Sequence, residues 1–469
     1  MRHAGIAILT GTILLLLTGC QSPPTDPGWD REFPKSSILL SDTPADEPVS
    51  MPDNSAESGL ALGEDSTIED YLAYAALNNP ALEAAFYRWK AAGEQVPQVT
   101  ALPDPRFTYR YFIEQMETQQ QAFEISQTIP WFNKLALKGD AAGEAANAAW
   151  QQYEAMKLRL FYQVKDAYYE FYYLGRALRT VEENIELVKN FEGVVRMRYQ
   201  TATAQHPDVI RAQVELGKLE DRLTSLRELQ GPIAARLNAA LNRPADAPIA
   251  RPVEIEEARI AVNDGRILEM MAQANPELMA LQYDIARNRT AIDLAQKEYF
   301  PDLTFGLEFI DTSDSIAAIP PRDSGQDPVI AMVSLNLPVW GGKLDAGVRE
   351  ARYQYHAAVR NRTDKLNTLK AALKMALYEF RDAERKAELY RHTLLPKAVE
   401  SVKANDASFR SGGSTFLEVI DAQRVMLEFE LAHERALSNK AQRLAELEML
   451  VGTQLPRSQD LTPQSGDIP

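Results

Sequence analysis

The chain has 469 residues, 45% of them hydrophobic and 25% charged, the makeup of an ordered protein with a large core. Its formal net charge of −16 at pH 7 argues against phosphate-backbone binding, which needs clustered Lys and Arg, so nucleic acid is not an expected partner. The single cysteine, Cys20, cannot form an internal disulfide, and packing has to supply the stability.

Arg2 and His3 precede an apolar run from Ile6 to Leu17, too short to span a bilayer comfortably and built like the n- and h-regions of a secretory signal. The run ends in "LTGC". Cys20 follows small residues where a bacterial lipoprotein signal is cleaved and its cysteine acylated, so residues 1–19 read as a lipoprotein signal peptide and Cys20 as the lipidation site. Acyl chains anchor by burying methylene groups in the membrane. Gln21 and Ser22 follow with no aspartate, as in outer-membrane rather than inner-membrane sorting. Residues 20–63, rich in Pro, Ser, Asp and Glu over most of their length, read as an acylated, extended linker.

Residues 66–97 have helical character, with a break at Asn79–Pro80 because proline removes a backbone donor and clashes with the preceding turn. The period then changes to two. In "RFTYRYFIE" (106–114) Phe107, Tyr109, Tyr111 and Ile113 share one face and Arg106, Thr108, Arg110 and Glu114 the other; "AFEISQTI" (122–129) repeats the pattern. A proline-aromatic turn at Pro130–Trp131–Phe132 leads into a proline-free stretch from Lys134 to Gln200, which as one helix would be ~100 Å long. A further helix follows the tip "YQTATAQHP" (199–207).

The order then repeats. "NPALEAA" (79–85) is answered by "NPELMAL" (275–281), "LPDPRFTY" (102–109) by "FPDLTFGL" (300–307), and "TIPWFNKLALKGDAA" (128–142) by "NLPVWGGKLDAGVREA" (336–351). "DVIRAQ" (208–213) returns as "EVIDAQ" (418–423), 210 residues later at both ends. A period of this size means two domain-sized copies, not a solenoid of short repeats. The expected limits are a first repeat over 64–245 with a β-hairpin about 106–129, an inter-repeat linker over 246–261, a second repeat over 262–453 with a hairpin about 303–337, and a polar tail over 454–469. The second long helix, from Lys343 to Arg410, is interrupted only at Pro396, where a kink is expected. In the last helix Phe416, Ile420, Leu427, Leu431 and Met449 form one apolar stripe. Val425, Phe429, Ala432, Ala436 and Leu450 form a second, with Arg424, Glu428, Arg435, Gln442 and Glu446 between them. Two opposed stripes describe a stave that touches neighbours on both sides and turns one face to water.

The four alternating segments match the ~10-residue strands of a transmembrane β-barrel, apolar outside and polar inside. A soluble half-buried sheet shows the same alternation, but the lipoprotein start and the polar hairpin tips "QMETQQ" (115–120) and "TSDSIAAIPPRDSGQD" (312–327) favour the membrane. Four strands cannot close a barrel, and lipid does not tolerate open edges. Strands must therefore come from several subunits. An enzyme is the rival from another class. His3, His206, His356, His392 and His433 are scattered; His433–Glu434 begins like a zinc-protease helix motif, but Leu437 stands where the second histidine belongs. No phosphate loop or nucleophile elbow occurs, and no cofactor or metal site is expected. A membrane-anchored coiled-coil scaffold without a pore explains the helices but not the duplicated strands.

A lipoprotein signal, two copies, two β-hairpins and stave-like helices together resemble the TolC-like outer-membrane efflux protein family over nearly the whole chain after about residue 64. The resemblance implies a mainly α protein with a β-barrel part: a duplicated helix-strand-strand-helix-helix repeat, assembled as a homotrimer whose twelve-stranded transmembrane β-barrel continues into a long periplasmic α-helical barrel. It implies a passive exit duct in the outer membrane of a Gram-negative bacterium, serving a tripartite efflux or type I secretion system. The implied partners are a periplasmic adaptor (membrane fusion) protein, an inner-membrane pump and outer-membrane lipid. The helical hairpin tips, Gln200, Thr201, Ala202 and Thr203 in one copy and Ser411, Gly412, Gly413 and Ser414 in the other, are the implied adaptor contacts. Glu418 and Asp421 fall where some members carry a ring of lumen-facing acids, and Asp208 where an acid helps hold the gate shut. Phe409 and Ser414 depart from the pattern, occupying positions where a tyrosine and an arginine would complete such links, so the gate here is held differently or more loosely. Gly412 and Gly413 permit a tight turn, and Ala202 and Thr203 stand at their positions in the first tip. The exported substrate stays open.

Overall fold

The computed structural model describes residues 62–457 except 64, 114–117, 251, 253, 254, 256–259, 316–318, 320, 321 and 323. The signal segment 1–19, Cys20 and nearly all of the linker 20–63 lie outside the described residues, as do much of 246–261, most of 454–469 and parts of both β-hairpin tips.

Helices α1 (Ile68–Asn78), α2 (Pro80–Gly93) and α3 (Gln95–Thr100) precede strands β1 (Arg106–Tyr111) and β2 (Gln119–Ile129). Then come α4 (Lys134–Gln200) and α5 (His206–Ala240). The second series is α6 (Asp264–Ala274), α7 (Pro276–Lys297), β3 (Leu303–Thr312) and β4 (Val329–Leu335), followed by α8 (Gly341–Leu389), α9 (Leu395–Ser411) and α10 (Phe416–Val451). The break expected at Asn79–Pro80 separates α1 from α2, and the proline-free stretch is one helix over the predicted span. The interruption near Pro396 takes the form of a π turn at Tyr390–Leu394, closed by the Leu395 amide donating to the Tyr390 carbonyl. Proline brings no donor to the ladder, and the wider turn re-pairs the backbone just before it.

The chain forms two compact units, and each draws on both copies of the repeat. One is built from residues 88–147 and 283–359 and contains the sheet. Its four strands run in the order β1-β2-β3-β4, every neighbouring pair antiparallel. The registers stack Phe107, Ile125, Leu307 and Ala331 in one row and Tyr109, Phe123, Phe309 and Val329 in the next, all on one face. That parity follows from the two-residue period, and it leaves β1 and β4 as edges.

The other unit is helical, built from 148–282 and 360–457 with the segment that ends at Tyr87. Its cores include Ile267, Met271, Leu373, Phe380, Leu447 and Val451 in one cluster and Leu174, Val181, Leu219, Leu427 and Leu431 in another. Full burial of each large side chain is worth about 1.5–3 kcal/mol. The duplication is visible atom by atom. Asn79 accepts from the Leu82 amide and donates to the Ala240 carbonyl, 2.9 Å away. Asn275 accepts from the Leu278 amide and donates to the Leu450 carbonyl at 2.8 Å. Each asparagine caps one helix and ties it to the end of the last helix of its own copy.

In α10 the first stripe is as expected: Phe416, Ile420, Leu427 and Leu431 are buried. The polar face is only in part the expected water-facing surface: Glu428 is exposed, but residues further along the helix are engaged. Arg435 grips Glu170 with two bonds of 2.6 and 2.9 Å and lies 3.6 Å over the Tyr173 ring, while Gln442 donates to the Asp166 carbonyl at 3.0 Å. Periodicity marks those positions as polar, but long side chains satisfied by charge-assisted bonds pack as closely as apolar ones.

Candidate functional site

Two places in the fold carry functional geometry, the sheet and the helical hairpin tips. On the sheet, Phe107, Tyr109, Val329 and Val333 are each more than half exposed on the apolar face. The rings of Tyr109 and Phe123 stand 5.2 Å apart and those of Phe123 and Phe309 6.5 Å apart, forming an aromatic row across three strands. The opposite face is polar at its centre. Glu124 and Glu308 sit directly opposite each other in the β2/β3 register, a like-charge pair that would repel, and Arg110 offsets it by pairing with Glu308 and lying 3.9 Å from Glu124. Thr128 and Thr304 bond through their hydroxyls at 2.9 Å. Among the described residues no helix is long and apolar enough to cross a membrane.

Both helical tips make the same turn. In the first, the Thr203 amide donates to the Arg198 carbonyl at 2.8 Å and the Ala202 amide to the Tyr199 carbonyl at 3.0 Å. In the second, the Gly413 amide donates to the Ser408 carbonyl at 2.8 Å and the Gly412 amide to the Phe409 carbonyl at 3.1 Å. Gly412 takes a left-handed φ of 85° and Ala202 takes one of 59°, so alanine adopts the glycine geometry at a cost of roughly 1–2 kcal/mol. Gln200, Thr201, Ala202, Thr203, Ser411, Gly412 and Gly413 are exposed, while Ser414 is half-buried and donates to the Asn405 carbonyl at 3.2 Å.

A shared core holds the tips side by side. Phe191, Val195, Val209 and Ala212 from the first hairpin meet Phe409, Phe416, Val419 and Ile420 from the second. Across it Arg198 donates to the Phe409 carbonyl at 2.8 Å and the Arg410 carbonyl at 2.7 Å, with its guanidinium carbon 4.4 Å from the Phe409 ring centre. Of the three expected gate acids, Glu418 accepts from the Thr415 amide at 3.1 Å and completes a capping box at the start of α10. Asp421 pairs with Arg424 at 3.1 Å, and Arg424 also pairs with the buried Glu215 of α5. These bonds raise the Arg424 pKa, led by the hydrogen bond to Glu215 and opposed by its burial. Asp208 pairs with Arg211 in its own first turn at 3.4 Å. The structure therefore joins Asp421 to Glu215 through Arg424, and among the described residues no hydrogen bond or ion pair joins Asp208 to Glu418 or Asp421. Arg198 and Glu215 were not singled out by motif, because no periodicity marks which carbonyl or carboxylate a long side chain reaches.

The fold is similar to that of solved outer-membrane channels. The outer-membrane channel OprN superposes with a TM-score of 0.69 at 17% identity, covering 82% of this chain and 89% of that one. In sequence the chain is 20% identical to nodulation protein T of Rhizobium leguminosarum bv. trifolii, over 77% of this chain and 80% of that protein. It is 23% identical to the outer membrane protein TolC of Vibrio cholerae, over 80% and 88%. The outer membrane efflux protein family model matches residues 72–243 and 267–453, and the chain belongs to that family. It is an outer-membrane efflux channel protein.

Proposed function

We propose that three copies of this chain assemble into a passive exit duct, anchored in the outer membrane by acyl chains on Cys20. The observation that carries the reading is the four-stranded sheet with an exposed apolar face and two unpaired edges. Open edges are not tolerated in lipid, and three such sheets in a ring give twelve strands, within the range of closed membrane barrels. The helices would form the periplasmic tunnel, and the tips at Gln200–Thr203 and Ser411–Ser414 would meet a periplasmic adaptor and through it an inner-membrane pump. Glu418, Asp421 and Asp208 would gather around the tunnel mouth from all three copies, a local field that favours cations over anions. Channel members of the family need no catalytic residues, and this duct uses none of its own. Native mass spectrometry of the protein extracted from outer membranes tests the assembly: three copies, each beginning at Cys20 and carrying added acyl mass, are expected. A folded monomer or dimer contradicts the ring, and an unmodified Cys20 contradicts the anchor.

A further inference from the structure

The β2/β3 junction inside the chain is a built site. Asp302 accepts from the Trp131 amide at 2.8 Å and from the Lys134 ammonium at 2.9 Å, and Lys134 also reaches the Phe300 carbonyl at 3.3 Å. The Trp131 ring stacks on Phe300 with centroids 5.3 Å apart and planes 13° apart. Lys134 is only 2% exposed.

The duplication supplies the tryptophan, the lysine and the aspartate of this site a second time, with Leu102 in place of Phe300. Trp340 and Lys343 repeat the spacing of Trp131 and Lys134, and in both turns the lysine amide donates to the tryptophan carbonyl at 3.0 Å. Leu102–Pro103–Asp104 repeats Phe300–Pro301–Asp302. Asn133 enters the first helix with a left-handed φ of 68°, whereas its counterpart Gly342 already lies within α8 and takes no left-handed φ. The second set cannot meet within the chain, because β4 and β1 are opposite edges of the sheet. Trp340 is accordingly 75% exposed and Leu102 50% exposed. Among the described residues, no ion pair engages Lys343 or Asp104.

We infer that neighbouring copies of this chain complete the second junction, Lys343 of one copy pairing with Asp104 of the next while Trp340 packs on Leu102. The inference rests on the ring assembly proposed above and specifies its seam. A head-to-tail contact of this kind closes into a ring when every copy uses both surfaces. The strand register follows as well. Arg106 lies opposite Ser126 and Thr304 opposite Ser334, which makes Ser126 and Ser334 equivalent. Carrying the β2/β3 register over to the seam sets Leu335 opposite Phe107 of the next copy and Val333 opposite Tyr109. All four side chains belong to the exposed apolar face, so that face runs unbroken from copy to copy, whereas a slip of one residue would set Leu335 against Thr108.

The test uses the full-length chain. With cysteines at Leu335 and Phe107, oxidation is expected to give dimers and trimers on denaturing gels that reductant abolishes, since directly opposed strand residues approach closely enough for a disulfide. The wild type, whose only cysteine is Cys20, gives none, and the slipped pair Leu335→Cys with Thr108→Cys gives none. Asp104→Lys and Lys343→Asp each lower the temperature at which the oligomer dissociates, and the two together restore it. An oligomer, trimeric by native mass, that crosslinks only through the slipped pair, or that the double charge exchange fails to restore, overturns the seam and leaves the ring. A monomeric wild type overturns the ring itself.

Discussion

At the scale of single residues, Arg198 supplies the link that the tip motifs lack. A tyrosine at 409 could have bonded across the hairpins, and Phe409 cannot, yet its backbone carbonyl and its ring are both engaged by the Arg198 guanidinium. The two carbonyls belong to the last turn of α9, where helical partners run out and a cation is favoured by the helix dipole. Arg198→Lys keeps the charge but loses the fork, and a cost of about 1 kcal/mol is expected; Arg198→Ala is expected to cost about 2 kcal/mol. Amide hydrogen exchange at Gly412 and Gly413 checks this, and unchanged protection in Arg198→Ala would refute the link. The sequence marked where the two tips are, because their motifs recur at a fixed separation. It did not mark Arg198, since the motif it belongs to is only a polar position on an amphipathic helix.

At the scale of elements, the strands were legible in the alternation of aromatic and polar residues, with β1, β3 and β4 starting at Arg106, Leu303 and Val329 as read. Their limits moved: β2 begins earlier at Gln119 and β3 runs on to Thr312, because backbone pairing across a hairpin continues past the last apolar residue, while β1 stops at Tyr111 and β4 at Leu335, short of the 114 and 337 that the alternation suggests. The packing of α10 was less legible. Its polar side meets α4 through Arg176 and Glu434, bonded at 2.7 and 3.0 Å with Glu434 nearly buried, and the Tyr172 hydroxyl adds a bond at 3.3 Å. Leaving one partner of such a pair buried alone is costly, whereas an apolar pair can replace both. Arg176→Met is therefore expected to destabilise by about 3 kcal/mol, and Arg176→Met with Glu434→Leu to recover most of it. Thermal unfolding followed by helical circular dichroism reads both variants; equal losses in the single and double variants would show that packing, not the stranded carboxylate, sets the cost.

At the scale of the whole molecule, the internal duplication carries the account. Two copies of a hairpin give one sheet with two edges, and two copies of a helical tip give a paired, acid-bearing end. Sequence showed the duplication through motif order, while the partition into compact units could not be read from it, since each unit mixes both copies. The most direct measurement is single-channel conductance of the purified wild type in planar bilayers, beside the Glu418→Ala/Asp421→Ala double variant. A stable pore is predicted for both, with cation preference reduced in the variant. No pore from a folded, membrane-inserted oligomer would contradict the account.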